Sequence, residues 1–334
     1  MHYTSGGIYS MKTIAVLTSG GDAPGMNAAI RAVVRTGCEN GMRVLGVRRG
    51  YNGLMNGDMY EMNLRTVSDI IHRGGTMLYS ARSPEFKTEE GLQKALDVCK
   101  ANGIEGVVVI GGDGSFRGAR DLSLHGIPTI GVPGTIDNDI ACCDYTIGYD
   151  TAMNTVMDMV DRIRDTTESH DRCSVVEVMG RRAGYIALNS GIAIGATSIL
   201  IPEVEFDIER DVIERMKRTQ KTDKKHFIII VAEGVSEKFG GVSNLAKIIE
   251  EKTGVESRAS VLGHVQRGGS PSLRDRLVAS EMGNYAVHLL MNGASNRVVA
   301  MQKEVVMDFD IYEALNMKNT INLDLYRIAH EISI

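Results

Sequence analysis

The sequence predicts an α/β protein made of two Rossmann-like, three-layer α/β/α domains with largely parallel sheets. Three observations lead there: apolar strand-like runs alternate with amphipathic helical patterns, each run ends in a glycine-rich turn, and 334 residues fit two domains of about 150 residues each. Strands alternating with helices stack as parallel sheets covered on both faces. In such sheets ligands bind beyond the carboxyl ends of the strands.

The first unit runs from a strand at Thr13 to Leu17 through Gly20-Gly21 into a helix at Met26 to Thr36. Gly20 to Asn27 reads G-G-D-A-P-G-M-N. Gly20 and Gly25 have P-loop spacing, but Met26 and Asn27 occupy the positions of the lysine and the hydroxyl residue, which argues against a P-loop NTPase. The turn can still offer backbone N–H groups to phosphate oxygens. The second strand candidate, Val107 to Ile110, enters Gly111-Gly112-Asp113-Gly114-Ser115 and a helix from Phe116 to Leu124. The glycine spacing misses the dinucleotide fingerprint by one residue, so an oxidoreductase loses ground. Asp113 is instead placed to hold Mg²⁺ together with waters and phosphates.

Ile127 to Val132 leads into Pro133-Gly134-Thr135-Ile136-Asp137-Asn138-Asp139, followed by an amphipathic helix at Thr151 to Arg164. A carboxylate in such a loop can accept the proton of an attacking hydroxyl, which makes phosphoryl transfer the natural chemistry. Ser174 to Met179 enters Gly180-Arg181-Arg182-Ala183-Gly184, and Phe227 to Ala232 ends at Glu233-Gly234. Basic residues gather beside glycines or on short polar loops: Arg82, Arg172, Arg181-Arg182, Arg258 and His264-Val265-Gln266-Arg267-Gly268-Gly269. Arginine forks suit phosphoryl groups. No Pro- or Ser-rich linker divides the chain, and the pattern places a boundary near Gly148 to Thr151.

Composition narrows the classes further. Hydrophobic residues at 43% and charged ones at 24% suit a globular chain, while 37 glycines against 6 prolines signify tight turns rather than a collagen-like or low-complexity repeat. Lys and Arg total 37 against 42 Asp and Glu, a net charge of −5. With no global positive field, neither nucleic acid nor an anionic membrane is an expected partner. Cys38, Cys99, Cys142, Cys143 and Cys173 are odd in number and form no C-x-x-C. That argues against a disulfide framework and a zinc ribbon, and fits a reducing cytoplasm best. Ala183 to Pro202 carries no formal charge, yet Asn189, Ser190, Thr197, Ser198 and three glycines interrupt it. It reads as a buried helix followed by a buried strand rather than a membrane span. Residues 1–10 show no signal pattern and are read as a leader.

Taken in order, Leu17 to Asn27, Arg73-Gly74-Gly75-Thr76, Gly111 to Ser115, Pro133 to Asp139, Glu177 to Arg181 and Gly263 to Gly269 closely resemble the bacterial ATP-dependent 6-phosphofructokinases, over about Lys12 to Met317. The resemblance implies the phosphofructokinase fold. Residues 11–147 plus about 266–316 would form a larger ATP-binding domain, and 148–265 plus about 317–334 a smaller fructose 6-phosphate-binding domain. It implies Mg²⁺-dependent transfer of the ATP γ-phosphoryl group to the 1-hydroxyl of fructose 6-phosphate, in a cytoplasmic homotetramer.

In that picture Asp137 is the base, Asp113 holds Mg²⁺, and Thr135, Arg181 and Arg82 stabilise the migrating phosphoryl group. Gly21, Tyr51, Arg82, Ser83 and Gly112, Asp113, Gly114 and Ser115 match nucleotide positions. Met179, Gly180, Glu233, His264 and Arg267 match sugar-phosphate positions, with Arg172 and Arg258 supplied by a neighbouring subunit. Gly114 and Gly134 stand where pyrophosphate-using relatives carry Asp and Lys, which favours ATP as donor.

Three departures qualify the resemblance. Ser83 replaces an aromatic that stacks on adenine, with Tyr79 nearby, so weaker ATP affinity or relaxed nucleotide choice is expected. The effector positions, for ADP or phosphoenolpyruvate, appear as Arg31, Arg35, Arg164, Lys221, Lys224 and His226. However, Leu64 and Thr197 replace an arginine and a glutamate and one residue is inserted near Thr222-Asp223, so attenuated control is expected. Arg182 follows Arg181 where an uncharged residue is common. The competing readings are NAD or diacylglycerol kinases, which share only G-G-D-G, a non-catalytic sugar-phosphate sensor, and a pyrophosphate-dependent enzyme.

Overall fold

The structure is a computed structural model that describes residues 11–333; the leader assigned to residues 1–10 lies outside the described residues. The strands are β1 (Thr13–Thr18), β2 (Arg43–Val47), β3 (Met59–Met62), β4 (Gly106–Gly111), β5 (Thr129–Pro133), β6 (Cys173–Val178), β7 (Ser198–Leu200), β8 (Phe227–Ala232), β9 (Ser257–Val261), β10 (Arg297–Gln302) and β11 (Val305–Asp310). The helices are α1 (Met26–Glu39), α2 (Gly50–Asn56), α3 (Glu89–Ala101), α4 (Asp113–Leu124), α5 (Tyr149–Ser169), α6 (Tyr185–Ala193), α7 (Glu214–Gln220), α8 (Glu233–Ser236), α9 (Val242–Thr253), α10 (Leu273–Met291), α11 (Ile311–Asn316) and α12 (Leu323–Ile332). The chain divides into two compact units: one takes the chain up to Ile136 with Ile140–Asp150 and Arg267–Asn319, the other Asp137–Asp139, Thr151–Gln266 and the chain from Thr320.

The first unit holds a seven-stranded sheet in the order β11-β10-β5-β4-β1-β2-β3, parallel except for antiparallel pairs at both edges. β1 and β4 are buried at every residue, as strands covered on both faces by helices must be. The strand order reverses between β1 and β4. Their carboxyl ends therefore flank the crevice where open α/β sheets take ligands. The second unit holds a four-stranded, wholly parallel sheet, β7-β8-β6-β9. Phe227 to Ala232 of β8 is buried throughout, and the uncharged stretch resolves into α6 and β7, both of them largely buried.

Two features differ from the sequence expectation. The helix expected from Phe116 starts at Asp113, because the N–H groups of Ser115 and Phe116 both donate to Gly112 O, at 2.8 and 3.1 Å. Asp113, Gly114 and Ser115 thus lie on a helical first turn rather than in a loop. The helix expected at Thr151 to Arg164 runs longer, from Tyr149 to Ser169.

Candidate active site

In the first unit, short contacts bind the glycine turns into one cradle. Ser19 N donates to Ile110 O at 3.0 Å, and Ser115 Oγ donates to Ser19 O at 3.0 Å, so the turns after β1 and β4 are locked together. Tyr51 supports them from beneath: its hydroxyl donates to Ser115 O at 2.5 Å and its ring stacks on Phe86 at 4.1 Å. Complete burial raises its phenol well above the ordinary range and leaves it a donor. Gly25 adopts φ 106° at the head of α1, where a Cβ would lie 2.6 Å from Ile147; no other residue fits that turn. Asp113 opens α4, and its carboxylate complements the helix dipole.

Arg267 also reaches this cradle. Its Nη1 donates to Asp22 O at 3.0 Å, and a Cβ on Gly21 would meet that same nitrogen at 2.6 Å. A side chain at Gly21 would displace the guanidinium from this position. Thr135 follows β5, buried, with its carbonyl accepting from Thr146 Oγ1 at 2.7 Å. Arg82 is exposed and Ser83 half-buried. Tyr79 is 56% exposed at φ 59°, with the Arg49 guanidinium 5.4 Å from its ring centroid.

The second unit builds its loops around two carboxylates. Asp137 is fully buried, and Arg181 Nε lies 3.1 Å from its Oδ2. The Arg181 side chain remains 57% exposed, so it can turn part of its fork to a ligand. Glu233, first residue of α8, accepts from Gly180 N at 3.2 Å and from Arg181 N. Those bonds hold Gly180 at φ 143° and Arg181 at φ 54°, conformations that a side-chain-bearing residue adopts only when its neighbours fix it. His264 is exposed on the short helical turn Gly263–Arg267. Arg182 is exposed, and nothing in the structure explains it.

Arg172 and Arg258 do not join this group. They stand at the amino-terminal edge of the sheet, Arg172 directly before β6 and Arg258 at the second position of β9. Met179, Gly180, Arg181 and Glu233 lie past the carboxyl ends of β6 and β8. The six residues of β6 separate the two sets by about 20 Å at roughly 3.3 Å per residue.

The effector candidates fall in both units. Arg31 and Arg35 lie one turn apart on α1, and burial together with Arg35 lowers the Arg31 guanidinium from its ordinary value. Burial and the Arg164 charge likewise lower Lys224, while Arg164 donates to Ile194 O. Lys221 is exposed and His226 half-buried. Thr197 is buried, with its carbonyl 3.3 Å from Arg215 Nε, and Leu64 is 48% exposed.

Three positioning residues were not evident as such in the sequence. Asn27 donates to Arg73 O and Gly74 O at 3.1 and 3.2 Å and accepts from Met77 N at 2.7 Å, fixing the Arg73–Met77 loop. Gln266, fully buried, accepts from Met179 N and donates to Gly263 O. Asp275, also fully buried, accepts from Gly148 N at 2.7 Å and Tyr145 Oη at 3.1 Å. Gln266 and Asn27 lay inside sequence motifs, the Gly263 to Gly269 and Gly20 to Asn27 segments, whereas Asp275 carried no such signal.

Glycine turns at strand carboxyl ends, a carboxylate on a helix amino terminus and a buried carboxylate held by an arginine define an α/β protein built for phosphorylated ligands. Residues 13–290 match the phosphofructokinase family, and the chain belongs to that family. It is 57% identical over 323 residues to the ATP-dependent 6-phosphofructokinase of Clostridium tetani (strain Massachusetts / E88), covering 97% of this chain and 100% of that one. It is 56% identical over 324 residues to the protein of the same name from Alkaliphilus metalliredigens (strain QYMF), with the same coverage. Phosphofructokinase from Saccharomyces cerevisiae superposes with a TM-score of 0.87 at 32% identity, over 95% of this chain and 50% of the yeast chain. The pyrophosphate-dependent phosphofructokinase from Marinobacter aquaeolei shares the fold, with a TM-score of 0.83 at 23% identity over 94% of this chain and 86% of that one.

Proposed function

We propose that the chain catalyses transfer of the ATP γ-phosphoryl group to the 1-hydroxyl of fructose 6-phosphate, giving fructose 1,6-bisphosphate and ADP. The buried Asp137 carboxylate gripped by Arg181 carries the reading, together with full-length identity to proteins named for that activity. The bond from the acceptor oxygen to γ-phosphorus forms, the bond from γ-phosphorus to the bridging oxygen breaks, and the hydroxyl proton passes to Asp137. Arg181, Thr135 and Arg82 stabilise charge on the equatorial oxygens. The N–H groups of the Gly20–Asp22 turn and of the first turn of α4 receive the nucleotide phosphates, so the first unit is the nucleotide unit and the second the sugar-phosphate unit.

Among the described residues no three His, Cys, Asp or Glu side chains converge to hold a metal ion. One carboxylate, Asp113, fits Mg²⁺, which takes one or two protein carboxylates and completes its shell with water and phosphate. When bound it neutralises phosphate charge.

The separation of Arg172 and Arg258 from the other sugar-phosphate residues supports an oligomer in which a neighbouring copy supplies those two arginines. A homotetramer is the expected assembly. A cytoplasmic setting accords with five cysteine thiols, none in a disulfide; no helix of the described residues is long and apolar enough to cross a membrane. Arg31 with Arg35 on α1, and Lys224 beside Arg164, form two basic pairs that suit an anionic effector, and Leu64 and Thr197 weaken any nucleotide effector there. Saturation curves for fructose 6-phosphate measured with and without ADP or phosphoenolpyruvate are expected to shift little; strong relief of sigmoidality by ADP would contradict this.

Donor choice rests chiefly on Gly114. Nothing lies within 4 Å of a Cβ built there, so packing does not demand glycine and an aspartate fits the helical first turn. Gly134 has a packing reason of its own, since a Cβ would meet Ile110 at 3.0 Å and Met26 at 3.2 Å. Gly114→Asp is expected to fold normally and to lose about 100-fold or more in kcat/KM for ATP, because like charges brought together cost several kcal/mol. Rates with ATP and with pyrophosphate, measured side by side on both proteins, test this. An unchanged kcat/KM for ATP in the variant, or turnover of the parent with pyrophosphate alone, would overturn the donor assignment.

A further inference from the structure

The two arginines at the amino-terminal edge of the second unit's sheet share a partner that none of the motifs includes. Glu256 Oε2 lies 2.9 Å from Arg172 Nε, and Glu256 Oε1 accepts from Arg258 Nη2 at 2.5 Å. The backbone fixes this triad. Arg172 directly precedes β6 and Glu256 directly precedes β9, and the parallel register pairs Cys173 with Ser257 and Ser174 with Arg258. Cys173 N donates to Glu256 O at 2.9 Å. Glu256 and Arg258 flank Ser257, so the strand alternation points them to one side. The Arg172 guanidinium paired with it is the main influence holding the Glu256 carboxyl below its ordinary range.

Two guanidiniums brought this close repel unless an anion stands between them. A carboxylate anchoring both sets their spacing, and each planar guanidinium carries five N–H donors, so one contact to Glu256 leaves most of the fork for a phosphate. We propose that Glu256 is a positioning residue for the sugar phosphate: it spaces Arg172 and Arg258 so that the pair grips the 6-phosphate of substrate held by a neighbouring copy. The proposal rests on the reading that Arg172 and Arg258 bind that phosphate. It differs from a role as competitor, in which Glu256 would occupy the arginines and be displaced by substrate.

Steady-state kinetics of the full-length enzyme separate these roles. Glu256→Gln keeps the shape and removes the charge of a side chain that is 41% exposed, so folding is not at stake. The half-saturating fructose 6-phosphate concentration is expected to rise about fivefold, the scale of a half-exposed ion-pair network, with kcat and KM for ATP unchanged. Glu256→Asp, which retains the charge, is expected to recover part of the loss. Arg172→Ala and Arg258→Ala, measured alongside, are expected to raise the same concentration further. If the arginine variants are impaired but Glu256→Gln is not, the proposal fails while the reading of the arginines stands. Tighter binding in Glu256→Gln overturns it in favour of the competitor role. Unimpaired arginine variants remove the underlying reading and the proposal with it.

Discussion

Asp137→Ser is expected to abolish turnover while leaving fructose 6-phosphate binding nearly intact. The carboxylate is fully buried and lies 3.1 Å from Arg181 Nε, so a proton acceptor is held in a fixed place with its charge compensated. Removing it takes away the acceptor for the 1-hydroxyl proton, a contribution of about 10²- to 10⁴-fold in rate. Little is lost elsewhere. The serine leaves no uncompensated buried charge, because the orphaned Arg181 side chain is more than half exposed and stays hydrated. Thermal unfolding should therefore shift by only a few degrees, and calorimetric binding of fructose 6-phosphate should change by no more than about threefold. A kcat within tenfold of the parent would remove Asp137 from the base role.

Arg181→Ala is the second large effect. The guanidinium faces two tasks: stabilising charge on the migrating phosphoryl group and compensating the Asp137 carboxylate. Loss of one such donor costs about 10²- to 10³-fold in kcat. Loss of the compensating charge adds a distinct signature. A carboxylate without its cation holds its proton more tightly, so the acid limb of the kcat profile, where Asp137 must be deprotonated, moves to higher pH. Arg181→Lys restores the charge but not the planar fork and is expected to recover only part of the rate. A full kcat with an unmoved pH profile in the alanine variant would show that Arg181 serves neither task.

The strand–turn–helix units were legible because each buried parallel strand is a short apolar run stopped by glycine, and the site candidates sat in those stops. The edge strands were not. β10 and β11 form a hairpin through Lys303 and Glu304, which adopt φ 49° and 62°. That is a turn ordinarily announced by Asn-Gly or Asp-Gly, so a Lys-Glu pair gave no signal. The start of α4 was misplaced because Gly112 and Gly114 lower helix propensity, while the decisive bonds to Gly112 O and from Ser115 to Ser19 are made only in the folded chain. Asp275 and Glu256 escaped notice, and Asn27 was read only as part of its turn, for a related reason: each acts through a partner distant in sequence, as Glu256 does on Arg172.

The most direct measurement follows the phosphoryl group itself. Purified protein is incubated with fructose 6-phosphate, Mg²⁺ and ATP labelled in the γ-phosphoryl group, and the label is located by phosphorus NMR and mass spectrometry. The expected result is label on carbon 1 of fructose 1,6-bisphosphate in equal yield with ADP. Binding of fructose 6-phosphate without any transfer, while Asp137 and Arg181 are intact, would contradict the account and leave a sugar-phosphate sensor in its place.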